Sequence, residues 1–362
     1  MSTLADKLLQ ASLVSPGPLR LQSQLCKLSK EKPEWSLDQK INVLMERVET
    51  CSQAEQNRLK ESGIQAITVL DEGFPQTLRN LQDPPLVLYY CGNPANLHRL
   101  GLAVVGARAC TTYGRQMARW LAGEMARLGI SIVSGLALGI DAQAHAAALQ
   151  VGGITVAVLG CGLDRIYPRA HTRLARDIVR QGGTVITEFP PGTPPKPHHF
   201  PIRNRLIAGL SRITLIVEAK TWSGSLTTAR HALEQGRSVF AVPGPLNRPT
   251  AQGPHQLIAD GEAQILTGLR DLYRELAPEL MQAQGLQEIL NRKIPDELAR
   301  KIYGVLDPFE PTPLDFLVQE LKTDVGSILS ALMSLEFDRL AESVGGPAFL
   351  RNPLSPTQEY TQ

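Results

Sequence analysis

Residues 131 to 162 read SIVSGLALGIDAQAHAAALQVGGITVAVLGCG. A short β-branched run ends in Gly135, and a second ends at Gly160 and Gly162. Between them, DAQAHAAALQVGG carries apolar residues at helical spacing and stops on glycine. Strand, turn, helix and strand in about thirty residues make a βαβ unit, whose two strands lie parallel.

The alternation continues outward in both directions. LAVVGA (102 to 107) precedes this stretch; TVITEF (184 to 189), ITLIVEA (213 to 219) and SVFAVPG (238 to 244) follow it. TYGRQMARWLAGEMARLG, HTRLARDIVRQGG, IRNRLIAGLS and SLTTARHALEQG lie between them with helical spacing. Unbroken apolar strands separated by such helices predict an α/β fold: a Rossmann-like, doubly wound, mainly parallel sheet covered on both faces. Ligands of such sheets sit outside the carboxyl ends of the strands.

At 362 residues the chain exceeds what one core usually organises. Residues 1–85 are mainly helical by pattern, with SPGPLRLQSQL (15 to 25) resembling a small helix-turn-helix of the helix-hairpin-helix or SAM-like kind. The Rossmann-like core takes 86–270 and a polar, Gln-rich helical or linker segment 271–295. Residues 296–352 read as a winged helix, and 353–362 as a tail. Residues 306 to 351 hold 8 Asp and Glu against 3 Lys and Arg. Duplex DNA binding needs phosphate neutralisation, so this module is expected to have a protein-contact or regulatory role instead.

Net charge is only +2, but it is unevenly distributed. Residues 101 to 250 carry 17 Lys and Arg, fifteen of them Arg, against 7 Asp and Glu. Arginine's planar fork suits phosphates, so the middle of the chain is built to meet an anion. The five cysteines are widely and irregularly spaced, with no C-x-x-C pair, and read as reduced structural thiols. The N-terminus shows no signal-peptide pattern and no stretch is long and apolar enough for a membrane span, which predicts a cytoplasmic protein.

SGLALGIDAQAH (134 to 145) admits two readings. Asp141 and His145 could form a catalytic pair, or Gly135 and Gly139 could turn the backbone beyond Ser134 and aim its N–H groups at an anion. No nucleophile is evident in the segment, which favours the cradle, with Asp141 as helix N-cap. At the first βα junction a dinucleotide site would show G-x-G-x-x-G, but Gly106 is followed by Ala107 and Arg108. Arg108 therefore places a fixed cation at the lip of the sheet, unless Glu188 or Glu218 pairs with it. PPGTPPKPHHFPIRNRLIAG (190 to 209) is stiffened by proline and sets Lys196, Arg203, Asn204 and Arg205 near Phe200: charge for a single strand's backbone and a ring for its bases. His198 and His199 have no further ligands nearby, so no metal is expected. In EAKTWSGSLTTARHALEQGR (218 to 237), Ser223, Gly224, Ser225 and Thr228 open a helix whose start is positive, and Arg237 ends the unit. Ser225 lacks the G-x-S-x-G frame of a nucleophile elbow.

Six segments together resemble the DprA/Smf family, DNA-processing protein A. They are GAR-x-x-T-x-YG (106 to 114), SGLALGIDAQAH, VLGCGLDRIYPRAH (158 to 171), EFPPGTPPKPHHFPIRNRLIAGLS (188 to 211), SGSLTTARHALEQGR-x-VFAVPG (223 to 244) and HQLIADGEAQIL (255 to 266). ITVLDEGFPQTLRNLQDPPLVLYYCGN (67 to 93) extends the match, which runs from about 65 to 270. The acidic winged helix resembles the family's C-terminal module. The resemblance implies a non-enzymatic, cofactor-free homodimer that binds single-stranded DNA and loads the recombinase RecA onto incoming DNA in natural transformation, displacing or bypassing single-strand binding protein. It places the pocket at Arg108, Ser134, Gly135, Lys196, Phe200, Arg203 to Arg205, Ser223 to Ser225 and Arg237. Family members often carry a cation where this chain has Leu138. The competing class is a phosphoribohydrolase-like nucleotide-processing enzyme with Glu218 or Glu188 as acid-base carboxylate; WSGSLTT stands where its P-G-G-x-G-T turn would be.

Overall fold

A computed structural model describes residues 4–13, scattered positions from 25 to 43, 63–282, 294, 296–307, 311–338 and 340–351. The contacts divide the chain into two compact units, 1–266 and 267–362.

The first unit is built on nine strands: β1 (Gln65–Thr68), β2 (Val87–Gly92), β3 (Gly101–Val105), β4 (Ser131–Ser134), β5 (Thr155–Val158), β6 (Thr184–Thr187), β7 (Ile213–Ile216), β8 (Ser238–Ala241) and β9 (Gln264–Ile265). Their order is β1-β2-β6-β5-β4-β3-β7-β8-β9. From β3 to β9 all pairings are parallel, while β2 joins β6 and β1 joins β2 antiparallel. The mainly parallel sheet expected from the sequence is present. Every residue of β3 to β7 is buried, as a sheet covered on both faces requires.

The helices that follow are α1 (Leu4–Leu13), α2 (Gln76–Arg79), α3 (Thr112–Arg127), α4 (Ile140–Gln150), α5 (Thr172–Arg180), α6 (His199–Gly209), α7 (Leu226–Glu234) and α8 (Gln252–Ala259). The chain leaves β3 toward β4 on one side and returns to β7 on the other, so the strand order reverses between β3 and β7. That reversal opens a crevice between the loops after these two strands.

The N-terminal side differs from its helical reading in one respect. Gln65–Thr68 is a strand, because pairing with β2 from Gln65↔Tyr90 to Thr68↔Val87 supplies a ladder that helical propensity cannot match. Helix α1 buries Leu8 and Ala11, and its Ser12 hydroxyl lies 2.5 Å from the Tyr89 hydroxyl of β2. Most of the proposed helix-turn-helix at 15–25 lies outside the described residues, as do 283–293 of the linker and the 353–362 tail.

The second unit starts with α9 (Leu269–Gln282), so the first half of the predicted linker is helix. There follow α10 (Glu297–Val305), β10 (Thr312–Pro313), α11 (Leu314–Leu321), α12 (Val325–Phe337), β11 (Ala341–Ser343) and β12 (Ala348–Arg351). Three helices and a hairpin sheet ordered β10-β12-β11 form a winged helix around Ile302, Leu317, Ile328, Leu332, Leu335 and Phe349. Asp296 and Asp324 cap α10 and α12, their carboxylates accepting from the Ala299 and Ser327 amides at 2.7 and 2.9 Å. Among the described residues no helix is long and apolar enough to cross a membrane.

Candidate nucleic-acid interface

A cleft of about 430 Å³ lies at the strand-order reversal. One wall is the loop after β3, including Gly106 and Arg108; the other is the loop after β7, including Lys220, Trp222 and Ser223 to Ser225; Phe200, Arg203 and Asn204 of α6 close it. Arg108 is exposed, and its guanidinium carbon lies 5.4 Å from the centre of the Phe200 ring. Tyr167 extends that aromatic surface, its centroid 5.6 Å from that of Phe200.

Neither carboxylate that could have neutralised Arg108 reaches it. Glu188 forms a bidentate pair with Arg205, both contacts at 2.7 Å and both side chains buried. Glu218 accepts from the Thr111 amide and hydroxyl at 2.8 and 2.6 Å and from the Thr250 hydroxyl at 3.1 Å. Among the described residues Arg108 makes no ion pair, so its charge faces the cleft mouth.

The SGLALG turn is neither of the two things its sequence offers. Oδ2 of Asp141 accepts from the Gly135 amide at 3.0 Å and the Ala137 amide at 3.4 Å, so these N–H groups point inward at the protein's own carboxylate. The N-cap position belongs to Gly139 and Asp141 sits within the first turn of α4, which corrects the capping expectation. Gly139 is required where it stands: φ is +77°, and a Cβ would collide with the carbonyl oxygens of Ala107 and Arg108. Ser134 is buried and donates to the Val104 carbonyl at 2.6 Å. None of Ser134, Gly135 and Gly139 lines the cleft; they hold the β3 and β4 loops together. Leu138 is exposed.

Among the described residues no hydrogen bond or ion pair joins His145 to Asp141. The Thr155 hydroxyl donates to the Ile132 carbonyl at 2.6 Å, so His145 Nδ1, 2.7 Å away, is the donor of that pair. Its Nε2 is buried without a partner, and desolvation holds the ring's pKa down at about 3. It is a neutral core histidine.

Arg203 lines the cleft but works as a brace. It donates to the Gly135 carbonyl at 3.0 Å, the Val158 carbonyl and Asn204 Oδ1, tying the ends of β4 and β5 to α6. Burial pulls its pKa to about 10 against the attraction of Asp141, whose own pKa burial pushes up. Asn204 Nδ2 donates to the Gly224 carbonyl at 3.1 Å and the Thr227 hydroxyl at 2.7 Å, fixing the loop that precedes α7. There the Ser223 and Ser225 hydroxyls lie 2.8 Å apart, and the amides of Ser225 to Thr228 bond within the turn. What this end presents to a ligand is hydroxyls and the positive pole of the helix. Thr228 Oγ1 is buried at the cleft without a hydrogen-bond partner.

The residues matched over this region are those of one family. The model for DNA recombination-mediator protein A matches residues 65–277, and that for the DprA winged helix domain matches 291–347. The chain belongs to the DprA/Smf family. The Smf protein of Escherichia coli is 42% identical over 284 residues, 76% of this chain and 74% of that one. The DNA processing protein DprA of Bacillus subtilis is 43% identical over 218 residues, 60% of this chain and 73% of its own. Among solved structures, the X-ray structure of DprA from Streptococcus pneumoniae aligns with a TM-score of 0.60 at 33% identity, covering 76% of this chain and 98% of that one. A Helicobacter pylori DNA processing protein A structure, reported for its single-stranded DNA binding mode, aligns at 0.54 and 32% identity over 60% of this chain and 96% of that one.

Of the residues singled out in this DprA-family sequence, Arg108, Phe200, Arg203, Asn204, Ser223, Gly224, Ser225 and Thr228 gather around the cleft. Three other predicted positions stand apart. Arg205 points the other way, locked to Glu188 and to Asp83 at 3.0 Å. Arg237 sits before β8, while α7 begins after β7, so the length of α7 separates it from the cleft; it donates to the Ser211 carbonyl. Lys196 is exposed but outside the lining, and His199 next to it stacks on Phe189 and pairs Nδ1 with the Gly160 carbonyl at 3.2 Å. Among the described residues no group of three His, Cys, Asp or Glu side chains gathers as a metal site. Lys220 and Trp222, the latter 95% exposed, were missed. A cation and an aromatic inside KTWSGS, beside a helix start, were the available signal.

Proposed function

We propose that the cleft between the β3 and β7 loops binds single-stranded DNA, and that the chain is a non-enzymatic mediator that hands this strand to the recombinase RecA during natural transformation. The observation that carries the reading is Arg108, a cation with no ion pair among the described residues, held against an aromatic ring at the carboxyl edge of the sheet. Arg108 and Lys220 neutralise phosphates, and Phe200 and Trp222 offer π-faces that every base can stack on. The Helicobacter pylori relative, solved for its single-stranded DNA binding, supports the same ligand here. Against the enzyme alternative, Glu188 is paired with Arg205, and Glu218 accepts hydrogen bonds from Thr111 and Thr250. A homodimer acting in the cytoplasm, displacing or bypassing single-strand binding protein, completes the proposal.

The test is a fluorescence titration of 5′-labelled oligo-dT at two salt concentrations with duplex of equal length as competitor. Salt-sensitive binding to the single strand that duplex barely competes is expected. Equal competition by duplex sinks the proposal.

A further inference from the structure

Helix α12 has two apolar faces with opposite fates. Ile328, Ala331, Leu332 and Leu335 are buried in the core of the winged helix. Val325, Leu329, Met333 and Phe337 follow one another at intervals of four and stand in solvent, with Met333 70% and Phe337 89% exposed. Side chains four apart lie on one side of a helix, so these four form a stripe about 18 Å long. Phe316 on α11 adds a further half-exposed ring. A row of large apolar side chains in water marks a docking surface.

In winged helices that read DNA, the second helix of the helix-turn-helix enters the major groove. Here that helix is α12, and it contains no Lys or Arg. Its surroundings are predominantly acidic: Asp324 at its start, Asp338 at its end, Asp315 and Glu320 on α11 and Glu342 on β11 are all exposed, against one exposed cation in the connecting turn, Lys322. Phosphates are repelled by such a rim. A second copy packed stripe to stripe is also disfavoured, because two acidic rims would meet.

We infer that the α12 stripe docks a basic amphipathic helix of a partner protein. Apolar residues spaced i, i+4 and i+7 on the partner lie along Leu329, Met333 and Phe337, and flanking Lys and Arg meet the acidic rim. The stripe supplies adhesion and the rim supplies choice of partner. This surface belongs to the second unit and the cleft to the first, and the inference does not rest on the proposed function.

The test uses the full chain and two designed, fluorescein-labelled helical peptides with one apolar face, one flanked by Lys and its twin by Glu. Anisotropy is expected to show the Lys peptide binding at least about tenfold tighter, with the gap closing as salt rises. The double variant Met333→Glu, Phe337→Glu is expected to lose that binding about tenfold or more while retaining wild-type affinity for oligo-dT and an unchanged melting curve. Phe337→Ser, at a nearly fully exposed position, gives a milder loss if the double variant misfolds. Equal binding of the twins, no binding of either, or binding unmoved by the variants overturns the inference. Self-association of the wild type in sedimentation equilibrium that the double variant abolishes overturns it too, by assigning the stripe to a second copy.

Discussion

At the scale of single residues, the cleft separates cations that can meet a ligand from cations that hold the protein together. Arg108 is exposed against Phe200, whereas Arg203 is buried and bonded to the chain ends of β4 and β5. Arg108→Ala should therefore weaken oligo-dT binding severalfold and reduce the salt slope by about 0.7, one phosphate contact on a single strand. Trp222→Ala should weaken binding by about 1–3 kcal/mol and leave that slope unchanged, because stacking releases no counterion. A changed slope for Trp222→Ala, or an unchanged one for Arg108→Ala, contradicts these roles. His145 gives a pH test. Its pKa is about 3 when folded against 6.5 unfolded, so between these values the unfolded state binds more protons and stability rises with pH. The contribution is full above the unfolded value and declines toward pH 3, by up to about 1.4 kcal/mol per unit. His145→Gln should flatten that acid decline in urea melts run from neutral to acidic pH; an equally steep decline removes His145 as its source. The sequence makes Asp141 and His145 visible but not their roles: an Asp at a helix start reads as an N-cap because caps are local, while acceptance of the Gly135 and Ala137 amides follows from how the turn folds back.

At the scale of elements, the strands are legible because burial on both faces leaves an unbroken β-branched run; β4 to β8 each fall within their predicted segments, and β3 begins one residue before its own. The edge strand β1 was not, since four residues with one buried position carry little period, and pairing with β2 decides the matter. Arg205 shows the same limit on a helix. Adjacent in sequence to Asn204, it reads as part of the same site, but the hundred-degree step between neighbours on α6 turns it to Glu188, just past the end of β6. That pair is buried on both sides, and removing the Glu188 charge leaves the buried Arg205 guanidinium with only the half-exposed Asp83 as its counter-ion. Glu188→Gln should lower stability by about 3 kcal/mol in chemical denaturation while the salt slope for oligo-dT stays at its wild-type value. A loss below about 1 kcal/mol means the pair contributes little to the fold, and a reduced slope would return Arg205 to the DNA site.

At the scale of the whole molecule, the net charge of +2 conceals a division by unit. Residues 267–362 hold 15 Asp and Glu against 9 Lys and Arg, a net −6, which leaves +8 on residues 1–266. Electrostatic attraction acts over a Debye length, about 30 Å at 0.01 M salt and about 8 Å at 0.15 M, so an acidic unit in the same molecule weakens the pull of a basic cleft on DNA without touching it. The chain ended at Leu266 is therefore expected to capture oligo-dT severalfold faster than the full chain at low salt in stopped-flow fluorescence. The two rates should converge as salt approaches physiological strength. A truncated chain that binds more slowly at every salt would mean that residues 267–362 contact the strand themselves. A difference that persists unscreened would mean that removing them changes the cleft rather than the field around it.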